Sequence, residues 1–188
     1  MYDRYQGLIF DMDGTILDTE PTHRAAWHTI LGKYGMTYNA QEMVAYNGAP
    51  IEKIAAVILA RHNVDMDPKA LATEKLALVE EMLFDTVKPL PLIEVVKAYQ
   101  GRRPMTVGTG SPRHLADKLL RHLGLRDYFV GIVGAEDVQH HKPFPDTFLR
   151  CAQLMQVEPE ACVVFEDADF GIQAAQRANM AFVDVRTL

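Results

Sequence analysis

Little in this sequence supports anything but a conventional hydrophobic core. Cysteine occurs only at Cys151 and Cys162, too few for a disulfide framework or a CxxC metal knuckle, and both sit among apolar neighbours as small core residues do. No run approaches the roughly 18 apolar residues that a membrane span requires. Met1-Tyr2-Asp3-Arg4-Tyr5 also lacks the charged-then-apolar plan of a secretory signal. The expectation is a soluble, cytoplasmic protein with no membrane partner. Basic charge is scarce: 19 Lys and Arg face 25 Asp and Glu, for a net charge of -6. No basic cluster could track a nucleic-acid backbone, so nucleic acid is excluded as a partner, and no obligate protein partner is evident. Internal repeats and low-complexity segments are missing too. What the chain does have is length and apolar content, 188 residues of which 48% are hydrophobic. That is enough to bury the core of one domain, or of a domain carrying an insertion. An acidic chain can still hold an anion where a metal and a few cations share one cleft.

Short apolar runs mark buried strands at Gly7-Leu8-Ile9-Phe10, Met105 to Thr109, Gly131-Ile132-Val133, Cys162 to Phe165 and Ala181 to Val185. Segments of helical length separate them, the alternation of a parallel sheet covered by helices. Leu92, Val95, Val96 and Tyr99 recur at helical spacing, as do Phe148, Cys151, Ala152 and Met155; Leu115, Leu119 and Leu120 precede Gly124, a helix stop. Between about Leu17 and Lys88 strand signals vanish. Trp27, Ile30, Leu31 and Tyr34 form one apolar face there. Ile51, Ile54, Ala55, Ile58 and Leu59 form a second, and Ala72, Leu76, Val79 and Leu83 a third, with Asp67-Pro68 as cap and first helical residue. This is a helical bundle inserted into the α/β unit, returning through Val87-Lys88-Pro89-Leu90-Pro91, whose prolines suit a stiff joint.

Chemistry-bearing residues follow the strands. Asp11 and Asp13 stand two apart at the carboxyl end of the first strand. If extended geometry persists they project to one side, at the edge where open α/β sheets bind ligands. Paired carboxylates suit Mg²⁺, and a carboxylate can also serve as a phosphoryl-accepting nucleophile; the competing reading is a polar Asp-Gly turn. The second strand ends in Thr109-Gly110-Ser111-Pro112, a phosphate cradle or an ordinary helix cap supplied by Ser111. Lys142 lies in the proline-fixed loop His141-Lys142-Pro143-Phe144-Pro145-Asp146, where a lone lysine would otherwise be solvated surface. The fourth strand ends in Glu166-Asp167-Ala168-Asp169, an acidic cluster or mere decoration of a helix start.

In that order, Asp11-x-Asp13-Gly14-Thr15, Thr109, Lys142-Pro143 and Glu166-Asp167 with Gly171-Ile172-Gln173-Ala174-Ala175 resemble the motif set of the haloacid dehalogenase-like superfamily over essentially the whole chain. The helical insertion resembles the cap of its β-phosphoglucomutase-like branch, and within that branch the chain is similar to small bacterial sugar-phosphate phosphatases of the fructose-1-phosphate phosphatase type. The resemblance implies a Rossmann-like parallel-sheet core over 1–17 and 89–188 and a helical cap over 18–88. It implies Asp11 as nucleophile and Asp13 as acid and base. Thr109 with the N–H of Gly110 would hold phosphoryl oxygens, and Lys142 would offset charge. Mg²⁺ would be held by Asp11, the Asp13 carbonyl, Asp167 and, directly or through water, Glu166. It also points to His23, the Asn47-Gly48 loop and Lys75 as cap residues toward substrate; His23 can equally be a packing residue and Lys75 an exposed helix lysine. Where the mutases carry a phosphate-clamping arginine, Ile51 stands here, which favours hydrolysis of a monophosphate such as fructose 1-phosphate or 6-phosphogluconate. A β-phosphoglucomutase and a non-catalytic sugar-phosphate binder remain the alternatives.

Overall fold

The computed structural model describes residues 1–43, 46 and 49–188. The strands are β1 (Gly7–Phe10), β2 (Leu17–Asp18), β3 (Lys88–Pro89), β4 (Met105–Gly108), β5 (Gly131–Val133), β6 (Cys162–Glu166) and β7 (Ala181–Asp184). Among the described residues the helices are α1 (Glu20–Lys33), α2 (Ala40–Met43), α3 (Ile51–His62), α4 (Pro68–Thr86), α5 (Ile93–Tyr99), α6 (Arg113–His122), α7 (Asp146–Met155) and α8 (Asp169–Arg177). None of them is long and apolar enough to cross a membrane.

Five strands pair in parallel in the order β5-β4-β1-β6-β7, the Rossmann-like α/β sheet expected from the alternating runs. Because β1, β4, β5 and β6 are buried on both faces, their residues read as continuous apolar runs rather than as an alternation. The two faces are nevertheless distinct. Leu8 and Phe10 pack with Val107, Phe165 and the Leu115–Leu119 stripe of α6. Ile9 packs on the other face with Phe148, Cys151 and Ala152 of α7 and Ala174 and Ala175 of α8. Both cysteines are free and buried, as their neighbours indicated.

The helical segment has a core of its own, Trp27, Ile30, Leu31, Ala55, Ile58, Leu59, Leu71 and Ala72 among its members. Val79 and Leu83 of α4 instead join the sheet-side cluster that holds Leu115 and Leu119. The α4 start follows its sequence signal: the Asp67 carboxylate accepts from Lys69 N at 3.0 Å, with Pro68 in the first turn. Two stripe assignments differ from expectation. Tyr34 is 38% exposed, since α1 stops at Lys33 and the phenol reaches out to donate to Glu74 at 2.6 Å. In α4 the buried position is Lys75, not Leu76: Leu71, Ala72, Lys75, Val79 and Leu83 face inward.

The outgoing and returning chains are tied together, which the sequence pattern did not suggest. β2 and β3 pair antiparallel, Leu17 with Pro89 and Asp18 with Lys88, and Leu90 N donates to Ile16 O at 2.8 Å. The helical segment therefore leaves and rejoins the sheet half through one two-stranded ribbon.

Candidate active site

Reading outward from β1, the chain builds β4 and β5 on one side and β6 and β7 on the other, so the order reverses between β1 and β6. Crevices at the carboxyl ends of strands at such a reversal are where open α/β sheets take ligands. Phe10 and Phe165 are register partners with rings stacked at 4.6 Å. Asp11 N continues the ladder with a 3.0 Å bond to Phe165 O. Asp11 and Glu166 thus leave the sheet side by side. Lys142 Nζ donates to Asp11 Oδ1 at 2.7 Å and lies 3.5 Å from Glu166 Oε1. All three side chains are buried, so the surface reading of Lys142 does not hold. The Lys142 loop is fastened by Arg177, whose Nη1 donates to Pro143 O at 2.8 Å.

Two glycines make the acidic cluster sterically possible. A Cβ on Gly171 would lie 1.7 Å from Glu166 Oε1. A Cβ on Gly14, which has φ +82°, would lie 2.5 Å from Asp167 Oδ2. Thr15 Oγ1 donates to Asp167 Oδ1 at 3.2 Å.

Charge in this cluster is unbalanced. Burial raises the pKa of Asp11, while the Lys142 ammonium opposes the rise. Burial pushes Glu166 well up, with repulsion from Asp11 adding to it and Lys142 opposing. Asp167 is raised to about 7 by burial and by Asp11. Burial disfavours charge on Lys142, yet Asp11 and Glu166 outweigh it and hold the ammonium above its usual range. One ammonium faces three carboxylates. Glu166 Oε2 is buried with no hydrogen-bond partner among the described residues, and an orphaned buried acceptor of this kind is costly. Ligand oxygens of Asp11, Glu166 and Asp167 all lie within 4.8 Å of one another. An all-oxygen, anionic donor set with an unsatisfied member fits a hard divalent cation.

Asp13 lies in a different environment. After Asp11 the chain abandons extended geometry: Met12 O accepts from Ile16 N at 3.1 Å and Leu17 N at 3.0 Å, and Gly14 N donates to Leu17 O at 2.9 Å. The two aspartates consequently have separate partners. Asp13 Oδ1 accepts from Thr19 Oγ1 at 2.7 Å, and Oδ2 accepts from Thr109 Oγ1 at 3.1 Å and Ser111 Oγ at 2.8 Å. Burial would raise the Asp13 pKa, but the neighbouring His23 imidazole, together with the Thr19 and Ser111 hydroxyls, carries it below the usual carboxylate range. Burial thus pushes Asp11 up while the partners of Asp13 carry it down, so the two neighbours sit in unlike environments.

His23 Nε2 is 3.7 Å from Asp13 Oδ1. Its Nδ1 contacts Lys75 Nζ, which sits 5.5 Å from the Trp27 ring centre. Lys75 is only 2% exposed, so the exposed-lysine reading is corrected; burial drags its pKa to about 7, with Asp13 and Glu20 opposing the fall. Gly110 is exposed, with nothing near the place a Cβ would occupy. Asn47 and Gly48 lie outside the described residues. Thr109 has its hydroxyl on Asp13 and accepts from Ser111 N at 3.0 Å. Ser111 does not cap α6, whose first N–H, on Arg113, donates instead to Glu136 Oε1 and Oε2 at 3.1 and 3.0 Å. Sequence reasoning missed Thr19 and Ser111 as Asp13 partners; the hydroxyl-rich Thr109-Gly110-Ser111 segment was the available signal for the second.

The family model of haloacid dehalogenase-like hydrolases matches residues 8–185. Over 188 residues, covering all of both chains, the sequence is 62% identical to the fructose-1-phosphate phosphatase YqaB of Escherichia coli K12. It is 30% identical to the β-phosphoglucomutase of Bacillus subtilis 168, over 96% of this chain and 83% of that one. Among solved structures, a β-phosphoglucomutase from Clostridium difficile superposes with a TM-score of 0.82 at 28% identity, covering 95% of this chain and 83% of the other.

Proposed function

The chain belongs to the haloacid dehalogenase-like hydrolase family, and from that premise we propose that it is a Mg²⁺-dependent phosphatase that hydrolyses small sugar monophosphates, fructose 1-phosphate foremost. The observation that carries this reading is the convergence of Asp11, Lys142, Glu166 and Asp167, drawn from three distant parts of the chain, at the strand-order reversal. The 62% identity to a fructose-1-phosphate phosphatase supports the choice of sugar.

In this mechanism an Asp11 oxygen attacks phosphorus in line, the ester oxygen departs with a proton from Asp13, and a phosphoaspartate remains. Asp13, now anionic, takes a proton from water, whose oxygen attacks phosphorus, and Asp11 is restored as phosphate leaves. Lys142 stabilises the charge that gathers where carboxylate meets phosphate, the kind of fixed electrostatic assistance on which phosphoryl transfer chiefly depends. Asp11, Glu166 and Asp167, with the Asp13 carbonyl, would hold Mg²⁺, which supplies Lewis-acid neutralisation of phosphoryl oxygens. As found, Asp13 is an anion satisfied by three hydroxyls. To protonate a leaving oxygen it must gain a proton and shed at least one of them, so substrate has to draw Thr109 or Ser111 toward its own phosphoryl oxygens. The helical segment, over 18–88, serves as a cap above the strand ends.

A mutase must grip a bisphosphate at both ends. At position 51, where a guanidinium clamp would stand, Ile51 packs against the helical segment's own core, which favours hydrolysis. The test is free phosphate released from a panel of sugar monophosphates with Mg²⁺, with and without EDTA. Release that EDTA abolishes is the expected result. Binding without turnover would indicate a sugar-phosphate binder, and glucose 6-phosphate formed from β-glucose 1-phosphate faster than phosphate is released would indicate a mutase.

A further inference from the structure

Besides His23 beside Asp13, two contacts between the helical segment and the sheet half are unlike each other. On the α6 side the contact is apolar and anchored, with Val79 and Leu83 sharing a buried cluster with Leu115 and Leu119, and Glu80 adds an ion pair to Lys118. On the α8 side, Lys53 of α3 stands over the ring of Phe170, 5.4 Å from its centre. Lys53 is exposed, and among the described residues no carboxylate lies within salt-bridge distance of it. Its N–H donors are therefore not committed to an anion.

Phe170 is also specifically placed. It stands three residues beyond Asp167 and immediately before Gly171, the residue whose missing side chain makes room for the Glu166 carboxylate. Its backbone therefore lies beside the acidic cluster, in the first turn of α8, rather than on a remote surface. Helix α8 begins just past the carboxyl end of β6, so the Lys53–Phe170 contact lies at the end of the sheet where the crevice opens.

We propose that Lys53 and Phe170 are specificity-determining residues that read the leaving group: the ring holds the ammonium at the crevice mouth, where it donates to the hydroxyls of a polyhydroxylated ester. The proposal deepens the phosphatase reading and rests on it. A ring-ammonium contact at an exposed site is weak enough to open for entry and directional enough to favour one arrangement when closed. Lysine offers three rotatable donors, suited to hydroxyls at varied positions rather than to one planar anion.

The experiment compares kcat/KM for fructose 1-phosphate with that for p-nitrophenyl phosphate, an ester with no hydroxyl-bearing leaving group, in the unsubstituted protein and in Lys53→Met, Phe170→Leu, the double variant and Lys53→Arg. The ratio of the two values is expected to fall about two- to five-fold in each of the first two variants, to fall no further in the double variant, and to be largely kept by Lys53→Arg. Lys53 is exposed, so its substitution keeps the test valid even where Phe170→Leu folds poorly. A ratio unchanged in Lys53→Met, or losses that multiply in the double variant, would overturn the proposal while leaving the phosphatase reading intact. An unsubstituted protein that hydrolyses neither ester would overturn both.

Discussion

At the scale of single residues, Asp11 and Lys75 make opposite demands on their surroundings. Asp11 is a buried carboxylate matched to a buried ammonium at 2.7 Å. Asp11→Asn keeps the shape and removes the nucleophile, so phosphate release should drop by about 10³-fold or more; ordinary turnover in that variant would remove the role assigned to Asp11. Lys75 is a buried ammonium beside an imidazole, with its pKa brought down to about 7 mainly by burial. An unfolded lysine titrates near 10.4. Between the two values the unfolded chain holds more protons than the folded one, so stability rises with pH across that window and the cost of burial is fully felt below about 7. Lys75→Met should therefore be more stable than the unsubstituted chain at pH 6.5 by about 1–3 kcal/mol, with the gain shrinking toward pH 10. Urea unfolding at the two pH values measures this, and a gain independent of pH would disprove the origin given for it. The lysine also shows why the site was only partly legible in sequence. Leu76 looks like the natural member of the α4 stripe, and apolar spacing gives no reason to put a cation one residue earlier on the buried side.

Elements, rather than residues, hold the hydroxyl segment beside Asp13. Helix α6 begins with Pro112 at its cap position and no side-chain cap of its own. Its first N–H is taken by Glu136, reaching across from the loop after β5. A Cβ on Gly134 would lie 2.4 Å from Arg113 N, so the same loop approaches α6 too closely for any side chain there. Glu136→Ala should cost about 1 kcal/mol of stability, the ordinary value of a lost cap. Because it also loosens Thr109 and Ser111, it should lower kcat for sugar phosphates; thermal unfolding and kinetics together check this, and an unchanged kcat would show that α6 holds its start without Glu136. Nothing in local sequence links Glu136 to Arg113, 23 residues away. The β2–β3 ribbon is hidden for a related reason. A two-residue strand has no periodicity to read, and one of the ribbon's four residues is proline, which sequence patterns treat as a breaker. Strands buried on both sides, by contrast, were legible from their uninterrupted apolar runs.

At the scale of the whole molecule, the sheet and its crevice follow from pattern, while strand order does not, because parallel pairing is decided by packing among elements far apart in the chain. The motif residues nevertheless lie at or beyond the carboxyl ends of strands, Glu166 as the last residue of β6 and Lys142 in the segment between β5 and α7, and this is why their meeting place could be anticipated without knowing which strands are neighbours. Among the described residues, their meeting leaves Asp11, Glu166 and Asp167 opposed by Lys142 alone, with one Glu166 oxygen unpartnered. A fold that gathers like charges in a buried crevice is destabilised there until a cation arrives, and a cation that binds only the folded state stabilises it by mass action. Millimolar Mg²⁺ should therefore raise the melting temperature by several degrees, since about 2.7 kcal/mol is gained at a hundredfold excess over Kd and each kcal/mol moves a chain of this size by about 2–4 °C. Sodium chloride at equal ionic strength should not reproduce the rise. Glu166→Gln should be at least as stable as the unsubstituted chain without metal, because it removes a buried charge that its neighbours repel, and it should respond less to Mg²⁺. Calorimetry of the two proteins with each salt separates the possibilities: an equal rise with sodium chloride, or an undiminished Mg²⁺ response in Glu166→Gln, would mean that this cluster is not where the divalent ion acts.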